Sequence, residues 1–176
     1  MKHYDFHKTF HSIYDKAAKL YVSGHRDVTT YFTPGELGFL AIIGSRAQDI
    51  YDYAEDLNNY GEPDYDTALA VQTIRRDYFL NVQNGRPSTV VLDESKMPAK
   101  SELIQGIEWL PRIIPKTKAK LRGELPTSLM YGCGGDRKFF KAHDIHPAEF
   151  LSLVWRHEKN DAAIIDWVVA RGKAGK

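Results

Sequence analysis

A single cysteine, Cys133, serves the whole chain of 176 residues. It excludes an intramolecular disulfide and any zinc site built from several thiolates. Charge of one sign is also missing: 24 basic residues meet 23 acidic ones, a net +1. Such a balance supplies no global field for drawing in nucleic acid or an anionic membrane, so an electrostatic partner has to be sought in a local patch. Long apolar runs are absent too. The longest, Phe39 to Ile43, is far too short to span a bilayer, and the opening MKHYDFHKTFHSIYDK has no apolar stretch of signal-peptide length. The expectation is a soluble, cytoplasmic protein with no membrane partner. At 43% hydrophobic, 27% charged and 12% aromatic, the composition is globular, and the length suits one domain over 1–176.

What the chain does contain is helical periodicity. Phe6, Phe10, Ile13, Tyr14, Ala17, Leu20 and Tyr21 recur at helical spacing up to Gly24. His3, His7 and His11 fall four apart there, a spacing that can hold a metal; polar residues on a terminal helix are the preferred reading. Thr33-Pro34-Gly35-Glu36 reads as a capping box with proline in the first turn. It predicts one central helix to about Asn59, apolar on two sides, with Asp49, Asp52 and Asp56 on its third side as a solvated face rather than a cation site. A third helix is expected over about 67–83, with Arg75 or Arg76 partly buried and paired, an acid of the second helix being the suggested partner. These form an N-terminal helical layer over about 3–84. Residues 86–101 carry little periodicity and read as an irregular crossing segment, with one short strand at Val90–Leu92.

The C-terminal part, about 105–170, holds the candidate chemistry. A helix is predicted from Pro111 or Pro115 to Gly123. Arg112, Lys116 and Lys120 lie four apart on one of its faces, with Lys118 and Arg122 nearby, a basic face able to hold an anion. Then comes Tyr131-Gly-Cys133-Gly-Gly-Asp136-Arg137. Its glycines let a ligand approach the main chain. Asp136 is expected to cap a helix containing Phe139 and Phe140, which sets Cys133 just ahead of a helix amino end, near Arg137 or Arg112. Neither a Walker loop nor a GxGxxG turn is present, so no nucleotide fingerprint exists. His143 and His146 have no zinc spacing with Cys133. His146-Pro147-Ala148-Glu149 begins another helix, and a last one is expected at about Asp161–Ala170, capped by Asn160 or Asp161, before a frayed RGKAGK tail.

The string Trp109-Leu-Pro-Arg112, Lys116, Ala119-Lys-Leu121, Gly123, Tyr131-Gly-Cys133, Asp136-Arg137, Phe139-Phe140, Ile145-x-Pro147-x-Glu149-Phe150-Leu151 and Trp167-Val168 resembles an uncharacterised bacterial family filed as a domain of unknown function. The resemblance covers about 105–169. It implies a recognisable bacterial module and hands over no reaction, cofactor or site residue.

The fold expected is all-α, with six or seven helices. The functional reading is a small-molecule enzyme or ligand-binding protein with an anionic substrate. Arg112, Lys116, Arg137 and Tyr131 would bind the anion, Cys133 would act as nucleophile or acid/base, and Asp136 would shape the loop. No metal and no cofactor are implied. The alternative is a non-catalytic interaction module that contacts protein, or less readily nucleic acid, through the basic helix, with Cys133 structural. Ten tyrosines leave room for a homodimer interface.

Overall fold

The computed structural model describes residues 3–174 and shows a mostly helical protein, with eight α-helices and one tiny hairpin among them. The chain divides into two compact units, residues 1–87 and 88–176. No helix among the described residues is long and apolar enough to cross a membrane.

In the first unit α1 (Phe6–Val22) packs chiefly on α3 (Ala47–Tyr60) and also on α4 (Tyr65–Asn81). Its buried residues Phe10, Ile13, Tyr14, Ala17 and Tyr21 are the apolar stripe of the sequence. Each fully buried Phe or Ile among them contributes roughly 1.5–3 kcal/mol. The Tyr14 hydroxyl donates to the Pro63 carbonyl at 2.7 Å, and burial, with Asp64 nearby, pushes its pKa up.

The expected helix from Thr33 to Asn59 is in fact two. Thr33 does cap α2 (Pro34–Ile42): its hydroxyl accepts from Glu36 N at 3.3 Å while Glu36 accepts from Thr33 N at 2.7 Å. The helix then stops at Ile43, and Gly44 takes φ +68°. The break has a tertiary cause. The Phe79 ring of α4 lies so close that a Cβ on Gly44 would stand 2.6 Å from it. A second capping box restarts the chain, Asp49 accepting from Arg46 N at 2.9 Å and pairing with the guanidinium at 3.1 Å. Asp49 is therefore a cap, and Asp52 accepts from Gln48 at 2.6 Å.

The three N-terminal histidines do not share one helix, because His3 lies in a 3-10 turn before α1. His3 Nδ1 meets Arg76 Nη2 at 2.6 Å. His11 stacks on Tyr65 at 3.8 Å and faces Asp15 at 3.6 Å. Among the described residues no group of three or more His, Cys, Asp or Glu could hold a metal ion. Arg75 is buried, as expected of one arginine in α4. It donates to Gln83 at 2.9 Å and lies over the Phe79 ring.

In the second unit the expected strand at Val90–Leu92 does not form. Val90 and Val91 are exposed, and Leu92 N bonds the Glu124 carbonyl at 2.8 Å. The strands are instead β1 (Leu103–Ile104) and β2 (Ile107–Glu108), antiparallel. Gln105 and Gly106 turn between them at φ +50° and +78°, both in the positive region a two-residue hairpin loop demands.

Four helices follow: α5 (Leu110–Arg122), α6 (Gly134–Ala142), α7 (Pro147–Arg156) and α8 (Asp161–Ala174). Pro111 sits in the first turn of α5 and Gly123 ends it at φ +72°, as the sequence predicts. His146 caps α7 through Nδ1, which accepts from Ala148 N at 3.2 Å, and Asn160 accepts from Ala163 N at 3.2 Å ahead of α8. The last helix runs past the expected end at Ala170, to Ala174, and the last two residues of RGKAGK lie outside the described residues. Leu110, Ile113, Leu121, Phe140, Phe150, Leu151, Ile164 and Val168 form the core.

Candidate functional site

The site is assembled from two pieces of the second unit, the α5 face carrying Lys116 and the loop 131–136 that leads into α6. Spacing put Arg112, Lys116 and Lys120 on one face of α5. The structure turns that face inward, leaving them 8%, 1% and 5% exposed. The remaining cations are spoken for: Lys118 meets Asp161, and Arg122 meets Glu158 at 2.6 Å. The basic helix is thus no open cationic surface. Nine of its thirteen residues are buried, and a lysine among apolar neighbours is tolerated only with a charge partner.

Asp136 is that partner. One of its oxygens lies 2.7 Å from Lys116 Nζ, and the two side chains are 1% and 0% exposed. The same carboxylate accepts from the Trp109 indole at 2.9 Å and from Gly132 N at 2.8 Å. Three donors on one buried carboxylate satisfy it fully. Asp136 is not the N-cap expected from sequence. Cys133 holds that position, Asp136 lies in the first turn of α6, and its side chain reaches back over the loop to Gly132.

Lys116 has a second acceptor. Its Nζ donates to Cys133 Sγ at 3.1 Å. A cation beside the sulfur is therefore Lys116, which the sequence reading does not pair with it. Arg112 donates to the Pro98 carbonyl at 2.9 Å and pairs with Glu94 at 3.3 Å. Arg137 donates to the Gly132 carbonyl at 2.8 Å. Tyr131 is buried, its hydroxyl donating to the Pro147 carbonyl at 2.7 Å and its ring 5.9 Å from Phe140. Of the six residues singled out, Cys133, Lys116 and Asp136 come together, and Arg137 braces their loop.

Trp109 and Gly135 complete the cluster and were not recognised as site residues. Trp109 occupies the left-handed region at φ +71°, a conformation a bulky residue holds only when its surroundings dictate it. Here the indole is fixed by Asp136 and lies flush on Gly135, where a Cβ would stand 2.5 Å from Cη2. Sequence periodicity gave no signal for Trp109, because it stands outside α5 as the left-handed N-cap.

Cys133 is half-buried, and its own side chain makes no capping hydrogen bond at the amino end of α6. The arrangement offers a sulfur touched by an ammonium donor, beside first-turn amides whose dipole favours negative charge. Farther along, His143 lies against Phe139 at 4.8 Å, and desolvation holds its pKa below the ordinary value.

No curated protein and no solved structure matches the chain. Residues 95–176, the segment that carries Trp109, Lys116, Cys133 and Asp136, match the family model of a domain of unknown function (DUF5069).

Proposed function

We propose that the second unit is a thiol-centred small-molecule enzyme or ligand-binding module. Cys133 meets an anionic ligand at the amino end of α6, and Lys116 positions and polarises the sulfur. The observation that carries this reading is the 3.1 Å contact from Lys116 Nζ to Cys133 Sγ, made by a lysine already fixed by a buried carboxylate. An ammonium donor complements sulfur in its nucleophilic, anionic form. The Asp136 clamp on Gly132 N and Trp109 holds the loop that carries Cys133. The reading supersedes the anion set expected from sequence, because Arg112 and Tyr131 are engaged elsewhere. Binding would fall to backbone amides at the amino end of α6, with Lys116 acting on the sulfur. The residues fix no reaction type.

The test is protection of Cys133 in the folded full-length protein. Alkylation is followed with iodoacetamide, a neutral reagent, at increasing phosphate or sulfate, with chloride at equal ionic strength as control. Saturable slowing by phosphate or sulfate supports the reading. Equal rates in all three salts remove the anion from it, and favour the alternative in which Cys133 is structural and the unit acts through protein contacts.

A further inference from the structure

We propose that Cys133 and Lys116 form a reversible covalent bridge when the protein meets a peroxide, so that the pair is an oxidation-sensitive modification site. Four observations carry it. Nζ already touches Sγ, at 3.1 Å. The lysine side chain is 1% exposed and fixed by its ion pair, so the ordering that slows such a reaction between free groups has already been met. Cys133 is half-buried, which leaves the sulfur reachable by a molecule as small as hydrogen peroxide. The chain has no second cysteine, so an oxidised Cys133 has no thiol of its own chain to condense with, and the neighbouring nitrogen is the group in place.

The chemistry balances in two steps. Sγ attacks one peroxide oxygen: the S–O bond forms, the O–O bond breaks, and the other oxygen leaves as water with the thiol proton. Sulfur is oxidised by two electrons to the sulfenic acid and the peroxide is reduced. Lys116 then passes its ammonium proton to the Asp136 carboxylate 2.7 Å away. The freed Nζ lone pair attacks sulfur: the S–N bond forms, the S–O bond breaks, and hydroxide departs as water with one proton from the nitrogen. The product is a sulfenamide, the condensation that sulfenic acids undergo with nearby nitrogen. A small-molecule thiol reverses it by attacking sulfur and releasing the amine. The bridge would lock α5 to the loop before α6 and shield the sulfur from further oxidation. It requires the Lys116–Cys133 contact and no anionic ligand, so it stands or falls separately from phosphate protection.

The experiment treats the folded full-length protein with hydrogen peroxide, digests it with trypsin without reductant and maps the peptides by mass spectrometry. The expected result is a cross-linked species joining the Lys116 and Cys133 peptides, lighter than their sum by two hydrogens, uncleaved after Lys116, and lost on adding dithiothreitol. The same treatment of the chain unfolded in guanidinium should give no such species. Lys116→Arg, which keeps a cation against Asp136, should carry Cys133 onward to the sulfinic acid. The proposal is overturned if wild-type Cys133 appears only as sulfenic, sulfinic or sulfonic acid with Lys116 cleavable, if it stays unmodified, or if the cross-link forms equally well in the unfolded chain.

Discussion

Replacing Asp136 by asparagine keeps the side-chain shape and removes its charge. Lys116 Nζ then loses its 2.7 Å counter-ion while 1% exposed, and the amide nitrogen of the new side chain must face one of the three donors that now converge there, Lys116, Trp109 and Gly132. Removing one partner of a buried pair costs about 3–5 kcal/mol, because the remaining charge stays buried without compensation. A single domain has roughly 5–15 kcal/mol in total, so Asp136→Asn should bring the second unit near its unfolding threshold. All three tryptophans, Trp109, Trp155 and Trp167, lie in that unit, so urea unfolding followed by tryptophan fluorescence reads its stability without interference from the first. The double variant Asp136→Asn with Lys116→Met removes the stranded charge and should recover at least half of the loss. If Asp136→Asn is within about 1 kcal/mol of wild type, the pair lies well below the range for buried ion pairs and the cluster is not what holds the loop.

Gly135→Ala drives a Cβ into the Trp109 ring, and overpacking of this kind costs about 1–3 kcal/mol. Gly134→Ala, whose Cβ would meet only Arg137 at 3.8 Å, should stay within about 0.5 kcal/mol of wild type; the same urea titration separates the two. His143 carries a prediction in pH. Its folded pKa is lowered by desolvation, so the unfolded chain takes up the proton first, and stability is full above the unfolded value of about 6.5 and falls as pH drops through it. Unfolding midpoints measured across that range should show a loss that His143→Phe reduces; an unchanged pH dependence in the variant would refute the assignment.

Much of this was legible locally. Thr33 with Glu36, Pro147 after His146, and Gly123 after Arg122 mark helix ends by groups within a few residues of each other, and all three stand where the sequence puts them. The break at Gly44 was not legible, because glycine inside a helical pattern is tolerated and its cause here is a Phe79 ring from another helix. Spacing likewise showed that Arg112, Lys116 and Lys120 share a face but not which way it points; that depends on distant groups, the 131–136 loop meeting Lys116 and Pro98 with Glu94 meeting Arg112. Asp136 misled for a related reason. An aspartate ahead of two phenylalanines fits a cap, yet from the first turn of α6 its carboxylate reaches one backbone donor, one indole and one ammonium. The cluster was named in pieces from sequence, with Cys133, Lys116 and Asp136 each singled out. Their union depends on a contact across seventeen residues, which no periodicity reports.

The account rests on Cys133 being presented to a ligand by Lys116, and the most direct test compares its alkylation rate by iodoacetamide at neutral pH in the folded protein with that in the urea-unfolded chain. A sulfur held against an ammonium donor in a half-buried residue at a helix amino end should react at least as fast folded as unfolded, and Lys116→Met should slow the folded rate several-fold in the fraction that remains native. A folded wild-type rate on the order of a hundredfold below the unfolded one would make Cys133 a packed core residue and contradict the proposal.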